Sequence, residues 1–310
     1  MELRQLRYFV AIADHGSLSR AALVLHVAQS ALTAQLRQLE DELGAQLLHR
    51  SAQGVLSTDA GKVFYQHAQA ILKQVADARS AVTQSTTRPS GSVTLGLPHS
   101  ISGALALPLL MAVRAQYPGI TLQLTEELSG NLAEQLKAGR INLAVLFDDG
   151  QVNAFASTPL VEEALMFICR SGSPYQPAGA RVSLAAALAA PLILPAQPQG
   201  VRPLIDSVAH AAGLSLSNVI EINSIAILRS ALLAVMGATI LPVAPLLADV
   251  ASGALRALPI EQPAISRSVL LCASRNIPLT NAAAAVKQLV QQVTRTLCED
   301  GAWTGARLLN

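Results

Sequence analysis

The sequence predicts two unlike parts in tandem: an all-α N-terminal domain with a winged helix-turn-helix and long linker helix, then a larger two-lobed α/β domain. Three observations carry that prediction. Two short helical apolar periods meet across a break at His26-Val27-Ala28. A 4-3 apolar rhythm runs from Phe64 to Val82. Beyond Gly91, strand-like and helical runs alternate, the pattern of layered α/β architecture.

Taken in order, Leu3, Leu6, Phe9, Val10 and Ala13 recur at helical spacing and predict a first helix ending near Gly16. Ser17 is a good N-cap, because its hydroxyl can accept an orphan N–H of the next turn. Ala21, Ala22 and Leu25 form a short second helix. After the break, Ala31, Leu32, Leu36, Leu39 and Leu43 make a longer apolar stripe, closed by Gly44 where a left-handed cap is expected. Two short helices across a tight turn, spanning residues 17–44, read as a helix-turn-helix. Gln46 to Leu56 alternates as a small hairpin, a wing, and completes a domain over residues 1–58. Thr58 and Asp59 can cap the following helix. The seam Phe64, Ala68, Ile71, Val75, Ala78, Val82 makes residues 59–88 a linker helix and hinge expected to dimerise as a coiled coil. Packing against the protein's own body is the alternative reading of the same stripe.

Thr86 to Gly91 is the hinge, where Pro89 and Gly91 stop the helix. Strand-like runs then fall at 92–97, 121–124, 143–147, 165–169, 192–194, 219–222, 239–241 and 268–273. Helical runs at 105–116, 131–138, 203–212, 225–236 and 281–297 lie between them, so largely parallel sheets are expected. Residues 89–310 are too long for one simple lobe. They divide into lobe I, about 91–164 and 267–300, and lobe II, about 165–266, with a cleft between.

Composition supports buried cores: 51% of residues are hydrophobic and 14% charged, which argues against disorder. The formal net charge is only +2, but residues 1–88 hold nine Lys/Arg against seven Asp/Glu, and residues 89–310 hold thirteen of each. The excess positive charge lies wholly in the N-terminal part, a faint tilt towards nucleic acid. Cys169, Cys272 and Cys298 are far apart and form no CxxC pair, so free thiols in a reducing compartment are expected. Arg4 and Arg7 interrupt any leader-like apolar core, and no apolar run reaches membrane-spanning length. A cytoplasmic protein without membrane contact is expected. There is no glycine-rich phosphate loop, GxSxG elbow or spaced metal-ligand set, so neither an enzyme nor a cofactor is predicted.

One long stretch carries a family resemblance. Tyr8-Phe9, Gly16 to Ala22, Leu25 to Thr33, Leu39-Glu40, Leu43-Gly44, Leu47 to Arg50, Gly54-Val55 and Thr58 to Gly61 resemble the LysR-type transcriptional regulators over about 60 residues with almost no gaps. Weaker similarity continues through Leu107-Pro108, Tyr117-Pro118, Leu136 to Val145 and Gly237 to Pro242, with the character of the nitrogen assimilation control branch. The resemblance implies a sequence-specific regulator of transcription whose two-lobed domain, similar to periplasmic binding proteins, is controlled by a small-molecule effector of unknown identity. It also implies a dimer built into a tetramer, double-stranded DNA with an interrupted palindrome as target, and RNA polymerase as a further candidate partner. A C-terminal domain that only assembles the oligomer is the rival reading.

The expected DNA contacts follow from groove geometry. A recognition helix presents hydrogen-bonding side chains from its N-terminal outer face to base edges. Here these are Gln29, suited to adenine, with Ser30 and Thr33; Arg37 lies one turn on and faces either phosphate or a pairing with Glu40 or Asp41. Arg50, Gln53 and Thr58 are the wing and cap candidates, Arg50 being the best phosphate or minor-groove candidate. Ser30 stands where the family commonly has proline, Ala34 where a long polar residue is common, and Gln53 where an arginine is frequent. Fewer direct contacts and more reliance on DNA shape are expected.

Ligands of open α/β lobes bind at the carboxyl ends of strands beside helix N-termini. Strand ends in lobe I place His99, Ser100, Ser102, Ser129, Gly130 and Phe147 there. Lobe II contributes Gln197, Gln199, Gly200, Arg202, Asn223 and Ser224. The hydroxyl and amide groups suit a carboxylate, phosphate, sulfate or amide, with Arg202 as the cation for an acidic effector. Asn142 stands where the family commonly has aspartate.

Overall fold

A computed structural model of the protein describes residues 1–51, 54–83, 89–148, 152–197 and 200–309, with every side chain in that set except those of Arg50, Ser51 and Thr83. Gln53, Gln199 and the first half of the predicted hinge, 86–88, lie outside the described residues. The chain divides into two compact units, an N-terminal one built on Met1–Thr83 and a larger one comprising most of the remainder.

The N-terminal unit begins with α1 (Leu3–His15), α2 (Leu18–Leu25) and α3 (Gln29–Leu43). Its helix ends obey local capping chemistry. The Ser17 hydroxyl accepts from the backbone N–H of Arg20, and Gly16 and Gly44 close α1 and α3 in the left-handed conformation. His26 makes the tight turn between α2 and α3 at φ +54°. A hairpin of β1 (Leu48–Ser51) and β2 (Gly54–Ser57) follows, with Leu48 opposite Ser57. Then comes α4 (Asp59–Thr83). Leu6, Phe9, Ile12, Leu32, Leu36 and Leu39 form the core, with Leu47 and Leu48 from the wing.

The predicted coiled-coil seam needs correction at its start. Ala68 is fully buried in this same core, and Phe64 packs edge-on against Phe9 with ring centroids 5.1 Å apart. The first turns of α4 therefore use that stripe to close the domain. Val63, Ile71 and Val82 are the large apolar side chains that α4 leaves exposed.

The larger unit has two lobes. Lobe I is a six-stranded sheet in the order β14-β6-β13-β5-β3-β4, where β3 is Gly91–Pro98, β4 Ile120–Glu127, β5 Leu143–Phe147, β6 Phe155–Ala164, β13 Ser266–Ser274 and β14 Ala306–Leu308. Helices α5 (His99–Gln116) and α11 (Asn281–Glu299) pack on one face, α6 (Ser129–Lys137) on the other. The two-residue period of β13 shows why: Val269, Leu271 and Ala273 face the α5/α11 side, while Leu270 and Cys272 face α6. Asn142 ties β3 to the start of β5, its Oδ1 accepting the Thr94 N–H at 2.9 Å.

Lobe II carries β7 (Met166–Arg170), β8 (Val182–Ser183), β11 (Thr239–Leu241) and β12 (Leu255–Glu261) in the order β11-β7-β12-β8, and a parallel pair of β9 (Leu192–Leu194) with β10 (Val219–Glu221). Helices α7 (Leu184–Ala189), α8 (Arg202–Ala211), α9 (Ile225–Leu233) and α10 (Leu247–Ala251) surround them. The chain passes between lobes at Ala164–Met166 and again between β12 and β13.

The sheets are mixed, contrary to the largely parallel arrangement expected. β3 pairs parallel with β4 and β5, but β13 runs antiparallel to both β5 and β6, and β7 antiparallel to β11 and β12. The crossing strands cause this, because a chain that leaves a lobe and returns must run back through its sheet.

Candidate DNA-reading face and inter-lobe cavity

On α3, Leu32, Leu36 and Leu39 are buried while Gln29, Ser30 and Arg37 are exposed and Thr33 is half-buried. The helical period thus separates an anchoring stripe from a polar outer face. Arg37 makes no ion pair with Glu40 or Asp41. Glu40 instead accepts the backbone N–H groups of Leu47 and Leu48 at 2.8 and 3.1 Å, fixing the approach to the wing. The sequence offers Glu40 as part of the family motif and as a possible partner of Arg37, and gives no sign of this job. Ser19 donates its hydroxyl to Gln29 Oε1 at 2.9 Å, which orients the amide and leaves its Nε2 as the free donor. The backbone of Arg50 lies in β1.

Thr58 has a structural job within the domain. Its hydroxyl donates to Gln46 O at 2.8 Å and accepts from Gly61 N–H at 2.9 Å, so it caps α4. Against the expectation of a DNA contact, the hydroxyl's proton and one of its lone pairs are committed to backbone groups of the domain itself.

In lobe I the parallel strands β3, β4 and β5 end on one side, where α5 and α6 begin. α5 starts at His99, six residues before the apolar run that predicted it, because the polar first turn looks like a loop in sequence. A cavity of about 580 Å³ lies between this turn and the start of α9. Of the predicted effector contacts it is lined by His99, Ser102 and Ser224, together with Asn223. Gly103, Glu126, Ile225, Ala226 and Pro245 also line it and were not predicted. Gly103 matters for its lack of a side chain: a Cβ there would sit 2.9 Å from Ala244 O, so glycine lets the lobe II turn approach α5. Glu126 escaped notice because the predicted strand stopped at Leu124, two residues short of it.

The lining groups are bonded to one another. Glu126 Oε1 accepts from the Ser102 hydroxyl at 2.7 Å and lies 3.0 Å from His99 Nδ1. Asn223 Oδ1 accepts the Ala196 N–H at 2.9 Å, leaving its Nδ2 to donate. Ser224 caps α9 through the Ile227 N–H.

The other predicted residues lie outside that lining. Ser129 and Gly130 open α6. Gly200 has φ +64° and stands exposed. Gln197 donates to Asp206. Arg202, expected as the cation for an acidic effector, is buried and already neutralised. Its Nε donates to Asp206 at 2.9 and 3.1 Å, and Nη1 reaches Glu221 at 3.3 Å. That expectation is corrected, since the carboxylates on its own helix and on β10 hold its charge.

Ser100 and Phe147 belong to a second network that no sequence signal announced. Arg267 Nη2 donates to Ser100 Oγ at 2.8 Å and to Glu163 Oε2 at 2.6 Å, and its guanidinium carbon lies 3.7 Å from the Phe147 ring centroid. Trp303 Nε1 donates to the other Glu163 oxygen at 3.0 Å. Burial works against the charged form of Arg267, and the Glu163 carboxylate works for it.

The thiols are held protonated. Burial pushes Cys272 up to about 12, with Asp148 adding to it, and burial also raises Cys169 and Cys298. This matches unreactive thiols, since the thiolate is the nucleophile. Among the described residues no group of three or more His, Cys, Asp or Glu is arranged to hold a metal ion, and no helix is long and apolar enough to cross a membrane.

Comparison with known proteins agrees with both halves of this architecture. Residues 3–62 match the bacterial regulatory helix-turn-helix protein, lysR family, and residues 86–295 match the LysR substrate binding domain. The nitrogen assimilation regulatory protein nac of Klebsiella aerogenes is 38% identical over 293 residues, covering 94% of each chain. Its namesake in Escherichia coli K12 is 36% identical, over 94% of this chain and 95% of that one. These relatives are regulators, not enzymes. Among solved structures, a full-length OxyR variant from Pseudomonas aeruginosa superposes with a TM-score of 0.71 at 22% identity, over 95% of this chain and 98% of that one. CbnR, a LysR family transcriptional regulator, superposes at 0.69 and 22% identity, over 95% and 99%. With a helix-turn-helix at one end and a two-lobed effector-binding fold at the other, both matched along nearly their whole length, the chain belongs to the LysR family of DNA-binding transcriptional regulators.

Proposed function

We propose that Gln29, Ser30, Thr33 and Arg37 read and position DNA, and that a small molecule bound between the lobes modulates that binding. The observation that carries the DNA reading is the largely unbonded N-terminal outer face of α3. Ser30, Thr33 and Arg37 have no side-chain partner among the described residues, and Gln29 keeps a free amide donor. A major groove supplies acceptors for such groups, with adenine or guanine N7 suited to the Gln29 Nε2. Arg50 is the wing's candidate for phosphate. The exposed Val63, Ile71 and Val82 of α4 support pairing with a second copy, and two such dimers would form a tetramer on an interrupted palindrome. RNA polymerase and a cytoplasmic setting are consistent with a regulator of this kind.

The test is footprinting on the DNA upstream of the protein's own gene, with and without a metabolite library. Protection of two neighbouring regions is expected, over an interrupted palindrome with T at one inner end and A at the other. Gln29→Ala should cost about 1–3 kcal/mol at its own base pair and relax preference there. Unchanged affinity and unchanged half-site preference in Gln29→Ala would overturn the reading face. A footprint that no library compound alters would overturn the sensing role and leave a C-terminal unit that only assembles the oligomer.

A further inference from the structure

Resting on the reading that the inter-lobe cavity holds the effector, we propose that its ligand is a small dipolar molecule of the amino-acid class. It would carry an ammonium for Glu126 and a carboxylate or carbonyl for the opposite wall. The cavity is large enough, since ligand sites run to about 300–1,000 Å³ and this one is about 580 Å³.

The charge distribution decides the class. No lysine or arginine is among the described residues that line the cavity, and its one carboxylate is Glu126. The two arginines that might serve an acidic ligand are committed elsewhere, Arg202 to Asp206 and Glu221, Arg267 to Glu163. A ligand with only negative charge would therefore face Glu126, and the one basic side chain among the described lining residues, His99, already has its Nδ1 3.0 Å from that carboxylate. Glu126 Oε1 is engaged by Ser102 and His99, while Oε2 has no partner among the described residues. An ammonium meets that oxygen in a charge-assisted hydrogen bond.

The facing wall offers donors among the apolar side chains of Ile225, Ala226 and Pro245. Asn223 offers Nδ2, because its Oδ1 is held by Ala196. The N–H groups of Ile225 and Ala226 are the first two of α9, where no intrahelical acceptor exists, and both residues line the cavity. The wall thus pairs one acceptor end on lobe I with one donor end on lobe II. A molecule that bridges them draws on both lobes at once.

Thermal-shift and calorimetric titration of the full-length protein against the twenty common L-amino acids, with succinate and sulfate as purely anionic probes, tests this. At least one amino acid should bind, and its N-acetyl derivative, which lacks the ammonium, should bind at least tenfold more weakly. Glu126→Gln should weaken the amino acid at least tenfold and narrow the gap between it and the N-acetyl form. Glu126 is about half exposed, so the variant should fold. Tighter binding of succinate or sulfate, an amino acid indifferent to N-acetylation or to Glu126→Gln, or no amino acid bound would each overturn the proposed class. If some other compound still alters the footprint, the cavity remains a sensor and only the class is wrong; if none does, the sensing role falls too.

Discussion

The polar face of α3 and the polar wall of the inter-lobe cavity are held up in different ways. On α3, the side chains stand on an apolar layer of Leu32, Leu36 and Leu39 and are largely unbonded to one another. In lobe I, His99 and Ser102 both engage Glu126 Oε1, and Ser100 is held by the buried Arg267–Glu163 pair. A face that meets a stiff, acceptor-rich partner gains by keeping its donors free and its backbone fixed. A cavity that must respond to a ligand gains by holding contacts that the ligand exchanges, because occupancy then changes what the wall is bonded to. Apolar packing supports both regions, and only the second adds a buried charge pair to it.

The largest test of that contrast breaks the charge network. Glu163 is fully buried, so Arg267→Ala would leave a carboxylate in the lobe I interior with Trp303 as a remaining donor. Removing one partner of such a pair costs about 3–5 kcal/mol. Urea unfolding of the full chain should show this loss in the larger unit, and an apolar double replacement, Arg267→Met with Glu163→Leu, should be much milder. A cost for Arg267→Ala near that of a surface pair, about 0–1 kcal/mol, would show that charge does not brace the cavity wall.

Packing is tested next, at Gly61. A Cβ there would fall 2.0 Å from Leu47 O, a backbone atom that cannot swing aside as a side chain can. Gly61→Ala must push α4 away from the wing, and overpacking of this kind costs about 1–3 kcal/mol. Hydrogen exchange should locate the loss in α1, α3 and the hairpin. Wild-type protection there would mean that the reading face does not depend on this contact.

The two regions also differ in how far they can be read from sequence, and for a physical reason. Capping and helical period act over a few residues, so Ser17, Gly44 and the outer face of α3 were all legible. Three short buried strands, at 143–147, 192–194 and 239–241, were placed to the residue because their apolar runs are sharply bounded. β6 was missed: Pro159 sits where its register against β13 shifts, and proline argues against a strand unless such a bulge accommodates it. The seam on α4 was assigned too far towards its N-terminus because one apolar stripe can serve a domain's own core or a partner equally well. Arg267 and Glu163 lie 104 residues apart, and no local pattern records that they meet. Arg202 and Asp206 were a different case, since their i,i+4 spacing was visible and should have marked that arginine as paired.

The smallest effect separates the two regions most cleanly, because it falls on a residue with a claim to either role. Thr58 carries a hydroxyl at the wing's base, where DNA contact was expected, yet backbone groups of Gln46 and Gly61 take it up. Thr58→Ala should lower stability by about 1 kcal/mol, the ordinary cost of a lost N-cap, and Thr58→Ser should recover most of it. Base preference should not change in either variant, because the hydroxyl's proton is already given to Gln46 O and its oxygen caps α4. Thermal unfolding paired with footprinting on point-substituted operators separates the roles. Altered half-site preference at unchanged stability would return Thr58 to the DNA, and the α4 cap would then fail as the explanation of why threonine stands there.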